Sequence, residues 1–341
     1  MMKKTLVAMA VLAASGASFA QVTLTGEATW GYRATTTGGA TATDASGFGV
    51  DTSELYFTAV EDIGGGSKVT AFMAIGGADR GGYAAANAGT VVGQDFYISL
   101  ATASMGTVKF ATTKGADYLS GGGSSASVVS WNVGYDGKVF SARSTSDNIS
   151  YSLPAGPVTV GLGHREAANM LGEGTGTTAS GGLNTAGTGY DQGKNWITVK
   201  GAFGGLTFDA NYAVYDNKGG TAVALTSIDD TSLYAGANYN FGVAKVGFGF
   251  ENRKKVSGSV NDLYLAASTS FGALDVGADW ASRKSSDEFG AAAGTKSGWG
   301  LAGVYHLSKR TSLIARTGSW ESAVGVANRS SQTDFYIDHT F

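Results

Sequence analysis

The segment QTDFYIDHTF, residues 332–341, sets apolar against polar side chains with a period of two. In an extended chain Phe335, Ile337, His339 and Phe341 share one side, and Asp334, Tyr336, Asp338 and Thr340 share the other. The apolar side runs up to Phe341 without a polar tail. That pattern suits a strand whose apolar side meets something other than a compact core.

The same alternation recurs upstream. VTLTGEATWGYR (22–33) sets Val22, Leu24, Ala28, Trp30 and Tyr32 against Thr23, Thr25, Glu27, Thr29 and Arg33. LTFDANYAV (206–214) and ALDVGADW (273–280) repeat it, as do ELYFTA (54–59) and KVTAFMAI (68–75). Period-two counting finds about sixteen such segments and no sustained helical stripe. Their connections alternate in length. Stretches such as 34–51, 77–93, 114–146 and 166–194 are long, whereas EDIGGGS, ASM, PAG and the Gly-Gly and Phe-Gly pairs are short. Long connections at one end and tight turns at the other describe an up-and-down meander.

Only two prolines occur, beside 53 glycines and 37 aromatic residues (16 Phe, 15 Tyr, 6 Trp). Such a chain has little to interrupt a hydrogen-bond ladder. Residues 1–20 carry a basic MMKK, an apolar TLVAMAVLAA and a small-residue SGASFA, the pattern of a secretory signal cleaved after Ala20. Without Lys3 and Lys4 the 24 basic residues become 22 against 27 acidic ones, a net charge of −5. That balance argues against a nucleic-acid partner. The absence of cysteine excludes disulfides and thiol chemistry.

No segment offers the ~20 unbroken apolar residues of a membrane helix, but strands of about 9–11 residues suffice for a tilted crossing. Closure into a barrel satisfies backbone groups that hydrocarbon cannot. The expectation is one all-β domain over 21–341, a 16-stranded antiparallel transmembrane β-barrel with long external loops and short periplasmic turns. Phe341 would sit at a membrane interface and close the barrel against the first strand. Alternation alone also fits an exported soluble sandwich. The connection rhythm, the export signal and the terminal Phe weigh for the barrel.

The polar faces, rich in Thr, Ser, Asn and Gly, then line a lumen, and sixteen strands leave it open to water. His164, His306 and His339 share no metal-ligand spacing, and no nucleophile elbow is present. GGGSSAS (121–127) and GEGTGTTASGG (172–182) lack the lysine of a phosphate loop. No enzyme, metal or cofactor is expected. Arg253-Lys254-Lys255 would open a long loop, either simply solvated or meeting lipopolysaccharide phosphates.

Several stretches resemble the general diffusion porins of Gram-negative outer membranes, especially their beta-proteobacterial branch. They are TSELYFTAVEDIGGGSKVTAF (52–72), ASMGTVKF (103–110), ARSTSDNISYSLP (142–154), NFGVAKV (240–246), HLSKRTSL (306–313) and the closing HTF. The resemblance implies an outer-membrane homotrimer, each chain a water-filled channel for ions and small hydrophilic solutes. It also implies a third long loop folded inward to narrow the pore.

Departures from the family pattern bear on charge. Glu54 stands where the family has Arg, Gln94 and Asp95 replace a basic position in the fourth strand, and Asp338 precedes His339 in place of Arg. Arg143 is retained, and the third loop, ADYLSGGGSSASVVSWNVGYDGK (116–138), holds only Asp117 and Asp136 as acids. Acidic lumen groups favour cations. The expectation is therefore a mildly cation-preferring pore with Glu54, Asp95 and Arg143 nearest the constriction and Lys109 and Asp117 as further candidates. The inward residues Tyr56, Tyr97 and Trp196 read as scattered, short of the aromatic track a substrate-specific channel would show. A loop-plugged structural or adhesive barrel is the other alternative.

Overall fold

The computed structural model describes residues 21–39, 41–77, 92–114, 119, 121–128, 138–140, 145–165, 191–218, 229–255, 258–286, 293–325 and 329–341. Sixteen strands follow one another in chain order. The first eight are β1 (Gln21–Thr37), β2 (Thr43–Gly64), β3 (Ser67–Gly76), β4 (Val92–Thr102), β5 (Gly106–Lys114), β6 (Thr145–Ala155), β7 (Val158–Arg165) and β8 (Asp191–Phe203). The second eight are β9 (Leu206–Lys218), β10 (Asp229–Asn240), β11 (Ala244–Lys255), β12 (Gly258–Phe271), β13 (Leu274–Ser285), β14 (Gly294–His306), β15 (Thr311–Trp320) and β16 (Ser330–Thr340). Each pairs antiparallel with its sequence neighbours, and β16 returns to β1, so the sheet is a closed barrel. The fold class read from the alternation is the one observed.

The alternation has the orientation expected of a barrel in lipid. Along β16, Phe335 is 56% exposed and Ile337 46%, whereas Asp334 between strands is 0% exposed. Leu265, Trp280, Leu301 and Leu313 likewise point outward, and Asp262, Asp279, Arg283 and Arg316 are buried inside. Phe341 exchanges both backbone hydrogen bonds with Gly26, at 2.9 and 3.0 Å, extending the seam past the end of β16. Short turns need compact backbone, and Gly242 and Gly272 supply it at φ of 87° and 62°, a region only glycine enters freely.

Two expected loops prove to be largely strand. Residues 34–51 lack apolar alternation, yet β1 runs to Thr37 and β2 starts at Thr43, pairing from Gln21↔Val60 to Thr37↔Thr43. Side-chain pairing explains this: Thr36 donates to Asp44 at 2.7 Å, and Phe48 stacks on Trp30 with centroids 5.5 Å apart. One residue is extra in this hairpin, because Thr29 opposes Thr52 while Trp30 opposes Val50. The bulge re-aims Asp51 into the lumen. There it binds Arg33 and Arg316, which both also bind the buried Asp334. These ion pairs lace β15, β16, β1 and β2 together across the closing seam.

The second correction concerns Arg253-Lys254-Lys255, which ends β11 rather than opening a loop. Arg253 turns inward to Asp262 at 3.3 Å and to Glu251 at 3.6 Å, and Lys255 is buried, so only Lys254 is left exposed. The carboxylates on the lumen wall hold the alternation where the sequence reads as a charge run.

Because Leu301 faces outward midway along β14, Leu301→Arg places a charge in hydrocarbon. Denaturant titration in lipid vesicles is expected to show a loss of about 2–4 kcal/mol, with little change for Thr198→Arg on the lumen side.

Candidate channel constriction and lumen wall

The apolar cluster of this protein sits inside the barrel, where the segment between β5 and β6 meets the wall. Leu119, Ala126, Val139 and Phe140 of that segment pack with Tyr264, Ala266 and Ala281 of β12 and β13. A single 3₁₀ turn, Gly122–Ser124, lies against β9–β12. The Gly123 amide donates to Asp209 Oδ1 at 2.6 Å, the Asn238 amide donates to the Gly123 carbonyl at 2.8 Å, and the Tyr234 hydroxyl donates to Asp209 at 2.8 Å. Further along, Lys138 lies 5.6 Å from the Trp320 ring centroid, and the Arg283 guanidinium 5.6 Å from that of Phe140.

The wall makes room for this loop with glycine. A Cβ on Gly247 would fall 2.2 Å from the Ser124 carbonyl oxygen, on Gly249 2.7 Å from that of Leu119, and on Gly298 2.8 Å from Val139. These glycines occupy inward positions, and between the first two Phe248 points out to lipid. The signal was present in KVGFGFEN (245–252), where glycine takes every second place beside bulky outward residues. A polar lumen face elsewhere carries Ser, Thr or charge, so paired inward glycines mark a backbone approaching closely.

The described residues of the loop lie against β9–β15, and away from them the described wall carries one group of inward charges that is mostly acidic and one that is mostly basic. On β1, β2 and β16, Glu27 stands opposite Glu54 in the register, and Thr29 opposite Asp338. Thr29 donates to Asp338 at 2.7 Å and the Tyr56 hydroxyl donates to Glu54. Glu27 feels both Asp338 and Glu54 electrostatically. On β5, β7 and β8 the inward residues Lys109, Arg165, Lys194 and Lys200 border a cavity of about 680 Å³. Between the two arcs stand three stacked rings: Phe72 lies 6.2 Å from Tyr56 and 5.0 Å from Tyr97. Lys109 caps the row, 5.1 Å from the Tyr97 centroid.

Of the residues singled out from sequence, Glu54 lies in the acidic arc, while Asp95 and Lys109 are electrostatic neighbours beside the basic one. Glu54 stands on β2 and Asp95 on β4, with β3 between them. Arg143 and Asp117 lie outside the described residues. Tyr56 and Tyr97 are joined through Phe72 rather than scattered, and only Trp196 stands apart. Sequence reading had set Glu27 and Asp209 on polar strand faces but had not named them, or Arg165, Lys194 and Lys200, among the constriction charges; their inward parity on β1, β7, β8 and β9 was the available signal. Among the described residues no three His, Asp or Glu side chains are arranged to hold a metal. The histidines bond locally: His306 to Asp275 at 2.8 Å and His164 to Asn195 at 2.7 Å.

A closed barrel of sixteen strands, apolar outside, polar inside and carrying an inward loop, is the architecture of a water-filled membrane channel. The family model for Gram-negative porins matches residues 5–321, and the chain belongs to that family. Its place is the outer membrane. Solved structures share the fold. The anion-selective porin from Comamonas acidovorans aligns with a TM-score of 0.67 and 20% identity, over 95% of this chain and 100% of that one. The DcaP channel of Acinetobacter baumannii gives 0.69 and 12%, over 95% and 98%. A Rhodopseudomonas blastica porin variant gives 0.61 and 17%, over 94% and 100%. No curated protein matches the chain significantly.

If the glycine seat holds the loop, Gly249→Val should displace it from the wall. Single-channel recording is expected to show altered and noisier conductance, while the barrel keeps its heat-modifiable migration on gels. Conductance identical to the parent would show that the loop is held without that seat.

Proposed function

We propose that the mature chain, beginning at Gln21 after removal of a signal peptide, is a passive diffusion channel for ions and small hydrophilic solutes with a mild preference for cations. Transport needs no chemical step in this reading. The observation that carries it is the polar inner face of the closed barrel, with Glu27, Glu54 and Asp338 gathered on one arc of its wall. Negative charge on low-dielectric walls concentrates cations along that arc. The Comamonas porin is named for anion selectivity. In this chain Glu27, Glu54 and Asp338 stand on β1, β2 and β16, and Lys109, Lys194 and Lys200 stand on β5 and β8.

The channel works as a homotrimer in outer-membrane lipid, with Lys254 available to lipopolysaccharide phosphates. Gel migration before and after boiling tests the assembly: a heat-induced shift to monomer is expected, and unchanged monomer migration would refute it.

Planar-bilayer recording under a salt gradient tests the channel and its preference together. Steady single-channel steps with a modestly cation-selective reversal potential are expected. Glu27→Gln combined with Glu54→Gln should move that potential toward the anion side. The preference should also fade above about 0.1 M salt, where the screening length falls below roughly 10 Å. An anion-selective potential unmoved by the double substitution would remove the role given to the acidic arc. Silence from folded protein would mark a plugged barrel instead.

A further inference from the structure

The basic arc has a shape as well as a charge. Lys109, Ser150, Gly163 and Trp196 are successive partners in the register across β5 to β8 and so form one row around the wall. A Cβ on Gly163 would lie 2.0 Å from Trp196 Cε2, so the indole occupies the space that any side chain on β7 would fill. The ring is thereby laid over its neighbouring strand. On β8, whose inward residues alternate, Lys194 stands two positions before Trp196 and Lys200 four positions after it, about 7 and 13 Å along the strand. Lys194 lies 5.9 Å from the indole centroid.

Lys109 and Lys200 both line this cavity, where their like charges oppose each other. Each has one carboxylate neighbour, Asp95 for Lys109 and Asp209 for Lys200, and Asp209 also receives the Gly123 amide and the Tyr234 hydroxyl. Lys109, Arg165, Lys194 and Lys200 line the cavity with two carboxylates, Asp209 and Glu251, and Asp95 lies beside Lys109. An anion seated between the lysines would relieve their repulsion and gain charge-assisted hydrogen bonds. The rest of the lining is dense in hydroxyl and amide groups, including Asn148, Ser150, Thr198 and Asn211. A ring without hydroxyls would leave those groups without partners, which binding sites penalise heavily. A polyhydroxylated ring meets them and can rest its C–H face on the indole. The cavity volume also falls within the usual small-molecule range of about 300–1,000 Å³.

We propose that this recess is a binding subsite for acidic or phosphorylated monosaccharides, holding the anionic group between Lys109 and Lys200 and the sugar ring against Trp196. The proposal rests on the lumen being an open passage, and makes one arc of that passage a facilitated lane for organic anions. Binding here is weak by design of the site, because a channel must release what it captures.

The test is single-channel current with glucose 6-phosphate, glucose or inorganic phosphate added to the intact protein in a planar bilayer. Glucose 6-phosphate is expected to reduce the current saturably, at lower concentration than either glucose or phosphate. Lys109→Gln with Lys200→Gln should raise the half-blocking concentration about tenfold, the loss of a charged hydrogen bond. Trp196→Leu should weaken the sugar phosphate while leaving inorganic phosphate unchanged. Equal block by inorganic phosphate would mean attraction of any anion and overturn the sugar site, as would a linear, unsaturable response. If the folded wild-type protein conducts nothing, the channel reading fails separately. Calorimetric titration of the detergent-folded protein with glucose 6-phosphate then decides the subsite on its own, with absence of binding heat overturning it.

Discussion

Every feature of this barrel follows from one constraint: hydrocarbon offers no partner for a backbone N–H or C=O, so the hydrogen-bond ladder must close on itself. Closure is achieved by β16 meeting β1 in register from Glu27↔Thr340 to Thr36↔Ser331, extended by the Gly26–Phe341 exchange. It is then reinforced from within. The bulge at Asp51 brings a second carboxylate to Arg33 and Arg316, so that four strands around the seam share one ion-pair network. Buried ion pairs add little net stability against apolar packing. Here they fix which strand edges meet, and the apolar alternative is denied by the wet interior.

The constraint also inverts the distribution of apolar residues. Most strand Leu and Phe side chains turn to lipid, and among the described residues the buried apolar cluster lies where the loop between β5 and β6 meets the wall. That loop is held by glycines that remove the wall's own side chains, by Asp209 and Asn238 meeting the backbone around Gly123, and by a small cluster around Tyr264 and Phe140. With the loop committed to β9–β15, the remaining wall carries the charges that solutes meet. The mostly acidic and mostly basic arcs, with the stacked Tyr56, Phe72 and Tyr97 between them, are the features on which the proposed difference between cations and organic anions rests.

Much of this was legible before any coordinates. Period-two alternation reveals strands directly, because each residue's parity decides whether it meets lipid or water; all sixteen strands were found that way. The hairpin over 34–51 was missed because its pairing depends on Thr36–Asp44 and Trp30–Phe48 contacts, which alternation does not record. The charge run at 253–255 misled for a related reason, since its carboxylate partners lie on strands β11 and β12 and become visible only in register. The lumen charges were harder still. Glu54 drew notice because it departs from the family pattern, but Glu27 comes beside it only by the pairing of β1 with β2, and Asp338 joins them only across the closing seam. Lys109 and Lys200 lie about ninety residues apart and come to line one recess only through the curvature of the wall.

The central claim is the inside-out parity of the strands, and the absence of cysteine from the chain makes it directly measurable. Single cysteines placed at successive positions 196–201 of β8, in protein folded into lipid vesicles, are treated with a charged, membrane-impermeant thiol reagent. Rapid labelling at 196, 198 and 200 with protection at 197, 199 and 201 is the predicted outcome. Uniform labelling, or fast reaction at 197 and 199 in place of their neighbours, would contradict a barrel that turns its apolar face to lipid and its polar face to water.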